Sequence, residues 1–218
     1  MKLSNETVNI LKNFANINTN ILFREGSLLS SISTSGGVFA RAIVAEAFPK
    51  EFGVYDLNSL LSLLTLMEDQ TIEFGPKSLT VQKDNGKFEY FYSSPSILVA
   101  APNKTIEFDT FYQFKLTEAE ISTLMKAINI VGAVNLSLEA DGSKVRLIVG
   151  DRKEDTSNSY TKEVGDSKET FSCHIAVTNF VLIPDNYTVT ISKKKLMHFK
   201  GENKKVEYFI AMEPASKL

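Results

Sequence analysis

The chain has 218 residues, of which 43% are hydrophobic and 23% charged, the composition of a globular protein with room for one large domain or two of about 100 residues. A formal net charge of −2 excludes a protein that grips nucleic acid by bulk positive charge, while leaving room for a local basic surface. The single Cys173 permits no internal disulfide, no apolar run approaches the roughly 18 residues of a membrane span, and the polar opening residues predict no secretion signal.

Residues 1–18 (MKLSNETVNILKNFANIN) predict an amphipathic helix. Val8, Leu11, Phe14 and Ala15 share one side, with Ile10 and Ile17 beside them. Asn5, Asn9, Lys12, Asn13 and Asn16 share the other. Ser4 can cap the helix, and Glu6 suits its first turn. A solvated helix ordinarily carries Glu/Lys pairs on its outer face. This one carries amides and an isolated Lys, which suit an unremarkable surface helix and also a face that meets phosphates through water.

Short strands are expected at 21–24, 27–33 and 39–45, separated by Glu25-Gly26 and Gly36-Gly37 turns. Asp56 caps a second helix over 57–67, where Leu57, Leu60, Leu61, Leu64 and Met67 are apolar and Asn58, Ser62, Thr65 and Asp69 lie nearer the polar side. Strands at 71–74, 79–83 and 87–92 follow, the last two joined by Asp84-Asn85-Gly86. Residues 93–109 form a connector with Pro95, Pro102 and an apolar patch at Ile97, Leu98 and Val99, which an ordered connector would use for packing.

A third helix is expected over 117–131, opened by the capping box Thr117/Glu120, with Ile121, Leu124, Ile128 and Val131 buried and Ser122, Lys126 and Asn129 outward. Strands at 134–139 and 144–149 turn at Asp141-Gly142. A charged loop spans 151–168 and flanks a strand near 159–164. A short fourth helix is expected within 171–183, ended by Pro184. Strands at 187–192, 196–199 and 206–212 close the chain.

The elements recur in one order: helix, strands, helix, three strands. KFEYF at 87–91 echoes KVEYF at 205–209, each after a short polar turn. The fold class expected is α+β, with two duplicated domains, each carrying two helices on one face of an antiparallel sheet. The open strand edges of such domains invite head-to-tail pairing into a closed ring.

The opening MKLS…T…LKNFA.IN, the VYDLN before the second helix and the VAAPNK.I.F of the connector resemble the DNA polymerase sliding clamp of T-even-like bacteriophages. The resemblance runs end to end and is weaker in the second half. It implies a DNA-clamp fold with an N-terminal clamp domain over 1–108, including a connector at 93–108, and a C-terminal clamp domain over 109–218. It implies a homotrimer around double-stranded DNA that tethers the replicative DNA polymerase, is loaded by an ATP-driven clamp loader, and serves late transcription with a sigma-like factor and a co-activator, all in the host cell cytoplasm. By matching position, Lys12 and Lys126 line the hole, with Lys2 a third. Asn5, Asn9, Asn16, Ser122 and Asn129 complete the DNA-facing set. The third helix has fewer basic residues than the family pattern, so Lys115 and the 193–195 lysines are candidates to supply the charge.

Clamp architecture further implies a pocket for partner peptides, for which Ile97, Leu98, Val99, Met212 and Pro214 are candidate walls. It also implies a subunit seam between the strand bearing Lys87, Glu89 and Phe91 and a second-domain edge strand bearing Tyr160 and Lys162. A trimer remains net negative. Confinement, not adhesion, then retains the DNA, and the lining has only to be slippery. The two histidines, His174 and His198, form no metal-ligand pattern, and no phosphate loop or nucleophile elbow is present. No enzyme, metal or cofactor is expected. The alternative reading is an oligomeric β-rich virion or baseplate protein.

Overall fold

The computed structural model describes residues 1–66, 71–83, 85–154 and 156–218. They form two compact units, Met1–Lys104 and Thr105–Leu218.

Unit 1 opens with helix α1 (Asn5–Ile17), whose first turn is capped by Ser4 Oγ accepting the Thr7 amide at 3.2 Å. The buried side is Thr7, Ile10, Leu11, Phe14 and Ala15. Val8, expected inside, is only half-buried, and Thr7 takes its place. The cause is Glu46, whose carboxylate accepts the Ser4 amide and the Thr7 hydroxyl and so draws that hydroxyl inward. Burial works to raise the Glu46 pKa, but the hydrogen bonds from Thr7 and Ser4 prevail and hold it below its ordinary value. A depressed carboxylate pKa stabilises the fold above the unfolded-state value, and that contribution is lost as pH falls through the folded-state value. Glu46→Gln is therefore expected to cost about 1–2 kcal/mol at pH 7. It should also flatten the loss of stability between about pH 5 and pH 3, as urea unfolding across that range would show.

After α1 come β1 (Ile21–Phe23), β2 (Gly26–Ile32), β3 (Val38–Phe48) and β4 (Phe52–Val54). Strand β1 pairs antiparallel with β4, and β2 with β3. The Phe23 and Phe52 rings stack at 4.5 Å, and Phe48 and Phe74 pack around them. Helix α2 (Leu57–Leu66) buries Leu57, Leu60, Leu61 and Leu64, as its spacing predicts, and Asp56 accepts the Asn58 and Ser59 amides. Met67, Asp69 and Asp84 lie outside the described residues. Strands β5 (Thr71–Phe74), β6 (Ser78–Lys83) and β7 (Gly86–Phe91) form an antiparallel meander.

Unit 2 opens with β8 (Tyr112–Leu116) and helix α3 (Glu118–Val131), whose capping box between Thr117 and Glu120 is complete and whose end is Gly132 at φ 64°. The helix buries Ile121, Leu124 and Ala127. Ile128 and Val131, expected inside, are half-exposed, and Ala127 is buried in their stead. Strands β9 (Asn135–Asp141), β10 (Lys144–Gly150), β11 (Tyr160–Asp166) and β12 (Thr170–Ala176) form one sheet in the order β11-β10-β9-β12. Strands β13 (Tyr187–Ser192), β14 (Leu196–Gly201) and β15 (Val206–Ala211) form a second meander, with β8 beside β13.

The expected fourth helix is absent. Residues 170–176 are strand β12, paired with β9 from Phe171↔Ala140 to Ala176↔Asn135, and only a 3-10 turn at Val177–Asn179 follows. Phe171, Cys173 and Ile175 are buried at a spacing of two, and β-branched residues favour that pleated arrangement. Among the described residues unit 2 thus has one α-helix where unit 1 has two.

The duplication is otherwise regular. KFEYF lies in β7, and KVEYF, apart from its leading Lys205, in β15, each the last strand of a closing meander. In each unit the chain leaving that strand returns to pair with an earlier one, Ser93 with Gly53 and Lys217 with Ser172. A Cβ on Gly53 would lie 2.5 Å from the Ser93 carbonyl oxygen, so the first return requires glycine there.

Candidate nucleic-acid and assembly surfaces

The outward side of α1 is as its sequence predicts: Asn5, Asn9, Lys12 and Asn16 are exposed, and Lys2 precedes them, also exposed. Lys12 makes no ion pair among the described residues. Beside it runs α2, and the two helices enclose a groove of about 650 Å³ lined by Lys12, Asn16, Asn58, Ser62 and Thr65, with Leu61 and Leu66 as its apolar part. The Thr65 hydroxyl donates back to the Leu61 carbonyl at 2.9 Å. In unit 2, α3 exposes Lys126 and Asn129 and half-exposes Ser122. Ile130 beside them is 82% exposed.

The other candidate lysines are engaged with the protein itself. Lys115 stands on β8 and pairs with Glu202 at 2.7 Å. Lys193 lies over the Phe111 ring, Lys194 donates to the Glu107 carbonyl and Lys195 to the Pro214 carbonyl. Asp109 accepts the Ser192 hydroxyl and the Lys193 amide, and these bonds hold its carboxyl below the usual range. Lys193, Lys194 and Lys195 thus brace a turn while remaining exposed.

The connector triplet is partly available. Ile97 and Val99 are exposed and Leu98 is half-buried, after a 3-10 turn at Pro95–Ile97 capped by Ser94. Three residues that the sequence did not single out hold it down. The Asn18 amide donates to the Ile32 and Val99 carbonyls, Asn20 accepts the Val99 amide, and Arg24 donates to the Ala101 carbonyl at 2.7 Å. Their only sequence signal is a polar run directly after the first helix. On unit 2, Met212 is buried, so its side chain serves the core, while Pro214 is exposed.

Strand β7 pairs only with β6, leaving a strand edge open among the described residues. Lys87 and Glu89 are exposed there, Glu89 accepts the Ser78 hydroxyl at 2.6 Å, and Phe91 is 66% exposed. Among the described residues strand β11 pairs only with β10, and it carries the half-buried Tyr160. Lys162, expected at the seam, pairs with Glu120 of α3 at 2.7 Å.

The chemically reactive side chains are buried parts of the framework. Cys173 is fully buried and burial pushes its thiol up to about 12. His174 shares a 2.7 Å hydrogen bond with Ser137, and burial together with the Arg152 charge lowers its pKa. No group of metal-ligating side chains occurs among the described residues.

The family described as DNA polymerase processivity factor matches residues 4–99. The protein named Sliding clamp of Vibrio phage KVP40 is 28% identical, over 98% of this chain and 99% of its own length. That of Escherichia phage RB69 is 29% identical over 99% and 98%, and that of Enterobacteria phage T4 27% identical over the same shares. Among solved structures, the Proliferating Cellular Nuclear Antigen of Entamoeba histolytica superposes with a TM-score of 0.67 at 13% identity, covering 95% of this chain and 94% of that one. A putative DNA polymerase III beta subunit from Eubacterium rectale superposes with a TM-score of 0.69 at 10% identity over 100% of this chain, which spans 65% of that longer one. The fold is therefore that of the DNA sliding clamps, a non-enzymatic class. In sequence the chain is similar, over nearly its whole length, to the proteins named Sliding clamp of these three phages.

Proposed function

We propose that the chain is a sliding clamp that encircles duplex DNA without reading its sequence and tethers a phage replicative DNA polymerase in the host cytoplasm. Three copies form the ring, each contributing domains 1–108 and 109–218. An ATP-driven loader opens it, and a late sigma-like factor with its co-activator uses it for transcription. The observation that carries this reading is the pairing of an amide-rich, sparsely basic helical surface with a net negative chain. Adhesion would need many neutralised phosphates and would immobilise the protein, whereas a closed ring needs only a lining that does not repel. Lys2, Lys12 and Lys126 with the neighbouring amides supply that lining. The open edges at β7 and β11 supply the seam through Lys87, Glu89, Phe91 and Tyr160. The exposed connector residues Ile97 and Val99, with Leu98, receive partner peptides.

The test is topological. A trimer by mass, retained on nicked circular DNA and released when that DNA is cut, supports the clamp. A protein found in purified particles and indifferent to DNA topology is a virion component instead. Lys12→Glu is expected to shorten polymerase products several-fold while leaving the melting temperature within about 1–2 °C, since Lys12 is exposed and makes no ion pair among the described residues. Product length on primed DNA and a thermal melt check both halves.

A further inference from the structure

Strand β11 is held to its own sheet by β10 alone among the described residues, and its register there is interrupted. Arg146 of β10 lies opposite Glu163 and Val145 opposite Gly165, so Val164 is the extra residue of a bulge. The bulge is where the strand could slip. A slip of one residue turns every side chain to the other face. Tyr160 and Lys162 would then leave the side on which Lys162 meets Glu120 of α3 at 2.7 Å. The ion pairs along the strand do not prevent this. Lys144 stands 2.9 Å from Asp166 and 3.8 Å from Glu163, and Arg146 stands 4.0 Å from Glu163. These are solvent-facing pairs on long side chains, weak and able to re-form with a neighbouring partner.

Tyr112 of β8 supplies a steric constraint instead. Its ring packs on Phe171 with centroids 5.5 Å apart and lies 6.0 Å from Phe114, which limits its swing. Its hydroxyl rests against Gly165 in the neighbouring sheet of the same unit. A Cβ on Gly165 would overlap that oxygen, whereas the ring carbon Cζ behind it would stand 3.8 Å away, an ordinary contact. Burial and the nearby Asp166 charge raise the Tyr112 pKa, so the group pressed against the strand is an uncharged hydroxyl. Only a residue without a side chain fits beneath it. A slip of β11 by one residue in either direction brings Val164 or Asp166 to that place, and each carries a Cβ. We infer that Tyr112 acts through Gly165 as a register lock on β11, a positioning residue that keeps one face of this edge turned toward the next copy of the chain. The assembly role rests on the clamp reading above, in which β11 is one side of the seam. The lock itself rests only on contacts within unit 2.

A double-mutant cycle separates the lock from ordinary packing. Gly165→Ala, Tyr112→Phe and the two together are prepared in the full chain. Trimer formation is followed by sedimentation across a range of concentrations, and amide hydrogen exchange is read along residues 160–163. Gly165→Ala is expected to weaken the trimer about tenfold or more and to speed exchange at 160–163 by a similar factor. Tyr112→Phe keeps the ring and loses only the blocking oxygen, so alone it is expected to raise exchange about threefold. Added to Gly165→Ala, it is expected to return both readouts to the level of Tyr112→Phe alone, because the introduced Cβ then meets nothing closer than the ring. The lock is overturned if Gly165→Ala leaves exchange unchanged, if Tyr112→Phe alone exchanges like the unsubstituted chain, or if the double variant is no better than Gly165→Ala. If the exchange pattern is as expected but the unsubstituted chain forms no trimer, the seam and the clamp reading fail, and the assembly role falls with them.

Discussion

Asp185→Ala is expected to destabilise the protein by about 2–4 kcal/mol, although the residue touches no proposed partner. Asp185 is fully buried. Its carboxylate accepts the Asn203 amide at 3.2 Å, the Lys204 amide at 2.8 Å, the Asn203 side-chain amide at 2.7 Å and the Asn186 amide at 2.8 Å. These bonds shape the turn between β14 and β15. The turn is tight: a Cβ on Gly201 would meet the Lys204 carbonyl oxygen at 2.7 Å and Asp185 Oδ2 at 2.8 Å. Alanine removes every acceptor at once and strands the turn amides. Next to this turn, buried Tyr187 donates to the Ile183 carbonyl and buried Tyr208 accepts the Ile183 amide. Burial pushes both phenols far above their ordinary range. A lower urea midpoint with an unchanged slope is the expected signature, with Asp185→Asn intermediate because it keeps one acceptor oxygen.

Phe14→Ala is expected to cost about 3–5 kcal/mol, the range for removing a buried aromatic ring without collapse of the space it filled. Phe14 is fully buried on α1, flanked by the equally buried Leu11 and Ile10. The opposite side of the same helix carries Lys12 and Asn16, so the two sides separate stability from function. Asn16→Ala is expected to change stability by less than about 0.5 kcal/mol. Thermal and urea unfolding of both variants check the contrast. At a temperature where Phe14→Ala remains folded it is expected to retain its action on DNA, because no atom of the outer side has been removed.

Much of this was legible in the residues. The caps at Ser4 and Thr117, the four buried leucines of α2 and the echo between the meanders all arise from local rules, and local rules are what a single sequence records. The failures share a cause. Thr7 displaced Val8 because Glu46, far away in sequence, hydrogen-bonds to it. The stretch 171–176 contains apolar residues at spacings that suit either a helix or a strand, and the edge of β9 decided for the strand. Lys115 and Lys162 looked free because their carboxylate partners, Glu202 and Glu120, come from other elements, whereas the 193–195 lysines meet only the Phe111 ring and the carbonyls of Glu107 and Pro214 and keep their charge unpaired by any carboxylate among these contacts. Exposed charge is easy to read from sequence, and a neutralising partner is not.

The returns at Ser93 and Lys217 are matched by a third, where Met1 and Ile72 exchange backbone hydrogen bonds along β5. Single residues thus hem the borders of β4, β5 and β12. On the proposed seam, with β7 and β11 as unlike edges of one protomer, copies join head to tail in single file. Such a queue has two fates, an endless thread or a circle, and the angle between successive members chooses between them.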